Sequence, residues 1–151
     1  AASDVYKRQG ENRIEAELTE PKPLRFLPAL ILWGDFAVDS EGRLIKPPGT
    51  IKLGDWRTQG YPALCGTGCY AATLQLDAAP RRLELDTGGY PARVIWNGRD
   101  LGLRCWPPFE FDLTDAARAG RNTMEIRITS TLGHLVTAKA SPPVGLLGAW
   151  V

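Results

Sequence analysis

The chain has 151 residues, 44% of them hydrophobic, enough for one ordinary core. The formal charge is +1, and Lys and Arg are scattered singly, so the phosphate-neutralising stripe that nucleic-acid binding needs is missing. No apolar run approaches the roughly 20 residues of a membrane-spanning helix; the stretch from Leu27 to Phe36 is short and interrupted by Pro28 and Asp35.

At the N-terminus, Ser3-Asp4-Val5-Tyr6-Lys7-Arg8-Gln9 resembles translated sequencing-adapter read-through, so residues 1–9 are expected to be a non-native scar. No apolar signal segment follows, and the cellular location is not legible from this end. Gly10-Glu11-Asn12-Arg13-Ile14-Glu15-Ala16-Glu17-Leu18-Thr19 aligns with Gly120-Arg121-Asn122-Thr123-Met124-Glu125-Ile126-Arg127-Ile128-Thr129, sharing Gly, Asn, Glu and Thr at equal offsets. Residues 10–31 are therefore expected to hold a strand, either of an upstream module or on the outside of a single domain over 32–151.

Beyond these come runs that alternate apolar and polar. Ala72, Leu74 and Leu76 alternate with Thr73 and Gln75; Leu83 and Leu85 with Glu84 and Asp86; Phe109, Phe111 and Leu113 with Glu110 and Asp112; Met124, Ile126 and Ile128 with Thr123, Glu125 and Arg127. Successive strand residues point to opposite faces, so each run buries one side and wets the other, the habit of antiparallel sheets. Strand 92–96 ends at Asn97-Gly98, a pair suited to the positive φ values of a type I′ turn, and should fold back as a hairpin. A short helical turn is expected at 115–119. Twelve prolines and sixteen glycines suit many short strands joined by turns. The fold class is all-β, an antiparallel β-sandwich.

Candidate chemistry is sparse. Cys65 and Cys69 flank Gly66-Thr67-Gly68, and Cys105 stands alone; a 65–69 disulfide is one reading and buried thiols acting as small hydrophobes the other. With a single histidine, His134, a zinc site is not expected. Ser130 and Ser141 lie in no nucleophile-elbow context that would partner His134. Asp39-Ser40-Glu41-Gly42 could supply oxygens to a structural calcium, but a turn between short strands is the stronger account, and no cofactor is expected. Glu110 and Asp112 share one strand face, as a pair of glycosidase carboxylates might be sought, yet ordinary alternation accounts for them. Asp112 with Thr114 and Asp115 reads as a turn.

Sugar binding relies on exposed aromatic rings beside a few placed polar groups. Trp106 is the leading platform: it follows Arg104 and precedes Pro107-Pro108, which stiffen the backbone. Trp96, Tyr90, Trp56 and Tyr61 are lesser candidates, the alternative being that they fill the core; alternation sends Trp96 inward with Ala92 and Val94.

The ordered set Gly34-Asp35-Phe36, Gly60-Tyr61-Pro62, Gly66 with Tyr70, Val94 to Asn97-Gly98, Trp106-Pro107-Pro108, Phe111-Asp112-Leu113-Thr114, Gly120-Arg121-Asn122, Thr131-Leu132 and Gly145-Leu146-Leu147-Gly148 resembles the C-terminal galactose-binding-like domain of large glycoside hydrolases. It is nearest to the family 106 α-L-rhamnosidases and more distantly similar to the sugar-binding domain of family 2 enzymes. The resemblance covers roughly residues 32–151. It implies a jelly-roll β-sandwich attached to a separate catalytic barrel, with carbohydrate and the rest of a secreted or periplasmic parent chain as partners. Leu64-Cys65, Cys105-Trp106 and Gly133-His134 depart from the family's pattern. Three functions follow as expectations: a carbohydrate-binding module, an architectural domain packing on the missing barrel, or, as a distant third, a small hydrolase using Glu110 and Asp112.

Overall fold

The computed structural model describes residues 13, 34–39, 41–62, 64–133 and 142–151. The chain divides after Gly34, and the architecture is that of the unit Asp35–Val151. The expected scar at 1–9, the strand expected within 10–31 (Arg13 apart) and His134 lie outside the described residues.

Among the described residues nine strands follow in order: β1 (Ala37–Val38), β2 (Leu44–Ile45), β3 (Thr67–Leu76), β4 (Arg82–Asp86), β5 (Ala92–Trp96), β6 (Arg99–Arg104), β7 (Glu110–Asp112), β8 (Gly120–Thr129) and β9 (Gly148–Trp150). A 3-10 turn, Trp56–Gln59, stands between β2 and β3. All pairings are antiparallel. One sheet has the order β3-β8-β5-β6, a second β7-β4-β9, and β1-β2 form a small ribbon.

The alternation in the sequence sets these layers. Leu83 and Leu85 of β4 and Phe111 of β7 are buried, and they meet Ala92, Val94 and Trp96 of β5 and Ile126 and Ile128 of β8 in one cluster. Each fully buried side chain of this size contributes about 1.5–3 kcal/mol. The chain is thus an all-β sandwich. The expected hairpin is present: Asn97 (φ 50°) and Gly98 (φ 79°) form the two-residue loop, and Trp96 pairs with Arg99 across it. A bulge follows, because Val94 pairs with Gly102 while Ile95 pairs with Asp100, leaving Leu101 extra.

The helical turn expected at 115–119 falls earlier, where Ala116 and Ala117 N–H both reach the Leu113 carbonyl at 2.9 Å. As expected, Asp112 caps this turn, its Oδ1 accepting from Thr114 N at 2.8 Å. The cysteines differ from expectation. Cys65, Cys69 and Cys105 are all exposed and unpaired, because none falls on an inward position of the alternation.

Trp56, from the 3-10 turn, is fully buried in the core cluster. Its Nε1 donates to Tyr70 Oη at 2.6 Å, and the same oxygen accepts from Leu146 N at 3.1 Å. Trp56 N donates to Val144 O, and Gly54 N to Leu146 O, both at 2.8 Å. The segment leading into β9 is thereby stitched to the loop before β3. Two glycines make room for the indole: a Cβ on Gly68 would come within 2.3 Å of Trp56 Cζ2, and one on Gly145 within 2.8 Å of Cδ1.

Candidate ligand site on the three-stranded sheet

Strand β7 is three residues long, and its central Phe111 points into the core. Glu110 and Asp112 therefore share its outer face, opposite Glu84 and Arg82 of β4 in the register. The loop before β7, Cys105 to Phe109, carries a cis Pro107-Pro108 bond and projects Trp106, which is 75% exposed. An open cleft of about 510 Å³ lies between this loop and the sheet, lined by Trp106, Pro107, Pro108, Arg81, Arg82, Arg104, Glu110, Phe111 and Asp112.

Each charged group in it has a defined position. Arg104 lies 5.9 Å over the Phe111 ring and donates from Nε to the Glu110 carbonyl at 3.3 Å. A cation over an aromatic face is favoured electrostatically, and here it sets the arginine at the cleft wall. Arg82 reaches Glu110 Oε2 at 3.4 Å and Glu84 Oε2 at 3.9 Å. The hydrogen bonds from the Thr114 side chain and backbone hold the Asp112 carboxyl below the usual carboxylate range.

A general acid needs a raised pKa. Asp112 is shifted the other way, and Glu110 is engaged by Arg82. The two acids share a face, and the lowered carboxyl of Asp112 does not suit the general-acid role.

Of the six residues singled out from sequence, Trp106 and Arg104 come together at this cleft. Trp96 and Trp56 are fully enclosed and Tyr90 is buried, so none of these three presents a ring to a ligand. The reasons differ. Trp96 occupies an inward position of β5 and donates from Nε1 to Asn122 Oδ1 at 3.1 Å, whereas Trp56 is swallowed by the space over Gly68 and Gly145. Tyr90 sits in the turn before β5, where its carbonyl accepts from Thr87 Oγ1 at 2.7 Å. Tyr61 is half-buried, packed against the core and outside the cleft lining.

Trp150 was not visible in the sequence as a ring platform. It is 58% exposed and pairs with Glu84 across the β4–β9 ladder. Its ring lies over Gly148, where a Cβ would come within 2.4 Å of Trp150 Cη2. A second cleft, of about 530 Å³, runs from Trp150 to Arg81 and Arg82, which also line the first. The spacing Gly148-Ala149-Trp150 carried the signal, a glycine two residues before an aromatic on one strand face, but three residues are too few to read as alternation.

The loop offered for calcium is otherwise engaged. Asp39 Oδ1 accepts from Glu41 N and Arg43 N at 2.9 Å, while Arg43 pairs with both Asp39 and Glu41 at 2.8 Å. Among the described residues no group of three or more His, Cys, Asp or Glu could hold a metal ion.

No protein-family model matches the chain. A putative beta-glucuronidase of Formosa agariphila is 32% identical over 78 residues, 48% of this chain and 7% of that protein. Among solved structures the chain is similar to a rhamnosidase from Novosphingobium sp. PP1Y, with TM-score 0.49 and 25% identity over 59% of this chain and 11% of that one. It is also similar to a Bifidobacterium dentium beta-glucuronidase complexed with coumarin-3-O-glucuronide, with TM-score 0.45 and 25% identity over 53% of this chain and 15% of that one. The chain spans a small part of each of these proteins.

Proposed function

We propose that this chain is a non-catalytic accessory β-sandwich of a larger glycoside hydrolase, a jelly roll of the galactose-binding type that takes carbohydrate in the cleft under Trp106. The observation that carries the reading is the placement of a three-quarters exposed indole at the mouth of a cleft whose other walls are fixed arginines and carboxylates. Stacking of a sugar's C–H face on the ring, with hydroxyls met by charged groups, is the chemistry such a surface supports. The ordered motifs shared with family 106 and family 2 domains support the same parent class. So does the match to 7% of a putative beta-glucuronidase, the proportion an accessory domain would have. Bond cleavage is assigned to polypeptide outside this sequence.

Affinity electrophoresis and calorimetry against rhamnose-containing and plant cell-wall polysaccharides test the proposal. Retardation that disappears in Trp106→Ala is the expected result, and a Trp106→Ala variant that binds like the parent chain would overturn it.

A second reading, an architectural domain docked on its parent, is favoured by strand β2. Both of its residues, Leu44 (56%) and Ile45 (40%), are exposed, as is Leu53 (67%) in the loop that follows. Absence of retardation across the whole panel would favour this reading over the first.

A further inference from the structure

We infer that the cleft under Trp106 selects an anionic saccharide, whose ring stacks on the indole while its carboxylate or sulfate is gripped by Arg81 and Arg104. The inference rests on the carbohydrate reading and adds the charge of the ligand.

Three guanidinium groups line the cleft against two carboxylates. Arg82 is already matched, by Glu110 at 3.4 Å and Glu84 at 3.9 Å. Asp112 is matched in part, its Oδ1 taking the Thr114 N–H at 2.8 Å. Arg81 is different. Its main chain is pinned, the carbonyl accepting from Leu113 N at 2.9 Å, yet its guanidinium has no hydrogen bond or ion pair among the described residues. Arg104 is held through Nε to the Glu110 carbonyl and over the Phe111 ring, which leaves its terminal nitrogens without a partner among the described residues.

Guanidinium groups only donate hydrogen bonds, and they do so in a planar fork. Two such forks, one held at the cleft wall and one on a pinned main chain, both lacking protein acceptors among the described residues, suit a group that only accepts. A carboxylate or sulfate on a sugar ring is such a group, and these charge-assisted bonds are stronger than those to hydroxyls. Both arginines are exposed, so water meets their donors in the free protein, and an anion adds charge-assisted bonds that a neutral sugar does not.

The second cleft extends the argument from a single ring to a chain. Arg81 and Arg82 line both clefts, the first of which carries the exposed indole of Trp106 and the second that of Trp150. Two ring platforms whose clefts share these cations fit an acidic oligosaccharide better than a monosaccharide.

The test uses the full chain in affinity gels containing polygalacturonate, its methyl ester, dextran sulfate or dextran. Near-ultraviolet dichroism checks that each variant is folded. The expected result is retardation by a polyanion, none by the methyl ester or by dextran, and a loss of about tenfold or more in affinity for Arg81→Gln/Arg104→Gln, as removal of charge-assisted hydrogen bonds predicts. Arg121→Gln, exposed on β8 and outside both clefts, should bind like the parent chain. Retardation by polygalacturonate alone assigns the anion as a uronate, and by dextran sulfate alone as a sulfate ester; either supports the inference. Equal binding of acid and methyl ester would overturn it, as would an Arg121→Gln loss equal to that of the double variant. Neutral glycan binding that Trp106→Ala abolishes and the double arginine variant leaves intact overturns the anion preference alone. Absence of binding to every polymer overturns the carbohydrate reading with it.

Discussion

The indole N–H of Trp96 meets the side-chain oxygen of Asn122 at 3.1 Å, and both residues are fully buried. That oxygen also accepts from Asn97 Nδ2 at 2.8 Å and Arg118 N at 3.1 Å, while Asn122 Nδ2 donates to the carbonyls of Arg118 at 2.7 Å and Gly120 at 3.0 Å. One amide thus ties together β5, the hairpin loop after it, and the corner that opens β8. Asn122→Ala should lower unfolding free energy by on the order of 3 kcal/mol, because buried donors and acceptors on several elements lose their partner at once. Urea unfolding measures it; a loss under about 1 kcal/mol would show that this network is not a hub.

Tyr70→Phe should strand two donors, the Trp56 indole N–H and the Leu146 backbone N–H, which share its hydroxyl. A loss of about 1–3 kcal/mol is expected, with a shift in tryptophan emission as Trp56 loosens. Gly68→Ala should do similar harm by a different route. Its methyl would occupy the indole's place, so overpacking of about 1–3 kcal/mol applies. A Gly68→Ala protein as stable as the parent would contradict the close approach of β3 and Trp56.

Much of this was legible beforehand, and the boundary is physical. Runs β4, β5, β7 and β8 follow the alternation, so their buried faces could be named from sequence, and Asn97-Gly98 declared its turn; in β3 Ala72, expected inward with Leu74 and Leu76, is exposed. Strand β6 was implied by the hairpin turn, but its faces could not be named because the extra residue at Leu101 breaks the period of two. Trp56 hid because its burial is decided by Gly68 and Gly145, which are distant in the chain. The cleft was half visible: the Trp106 loop could be found, whereas Arg81 joins it only through the β4–β7 register and Trp150 through the β4–β9 register.

Stability should fall on acidification, chiefly below pH 4. The Arg93 guanidinium beside Asp100, with the Gly102 N–H, brings that carboxyl from 3.8 down to about 2. Burial raises the Asp55 carboxyl, but hydrogen bonds from Arg57 and Val144 outweigh it and leave the group below its ordinary value. A carboxyl whose folded pKa is depressed stabilises fully above its unfolded value and progressively less as pH drops through the folded one. For Asp100 that window runs from about pH 4 to about pH 2. Urea midpoints measured from pH 7 to pH 2 should decline in this range, less steeply in Asp100→Asn; an unchanged slope in that variant would refute the Arg93 pairing.

All three thiols should react with an aromatic disulfide reagent in the folded protein, since each is exposed. Cys69 should be slowest. Burial, followed by the nearby Glu125 carboxylate, raises its pKa and so reduces the thiolate fraction. Labelling of single-cysteine variants at pH 7.5 gives the order directly, and a Cys69 that leads it would contradict the assigned neighbourhood.

Trp106→Ala should leave the urea midpoint nearly unchanged, within about 0.5 kcal/mol, because an exposed ring contributes little to the core. Trp150→Ala should weaken long acidic oligosaccharides and spare dimers, since it borders the second cleft. Equal effects on both ligand lengths would place the two indoles at one subsite.

The stitching of Leu146 and Val144 to the loop around Trp56 has a further effect during synthesis. Strand β9 joins β4 only after sixty-odd intervening residues have been translated, and the loop around Trp56 lacks its Val144 and Leu146 partners until then. A nascent chain would therefore hold this part of the interior uncovered until β9 emerges, so completion of the sandwich waits on a pairing between segments far apart in sequence.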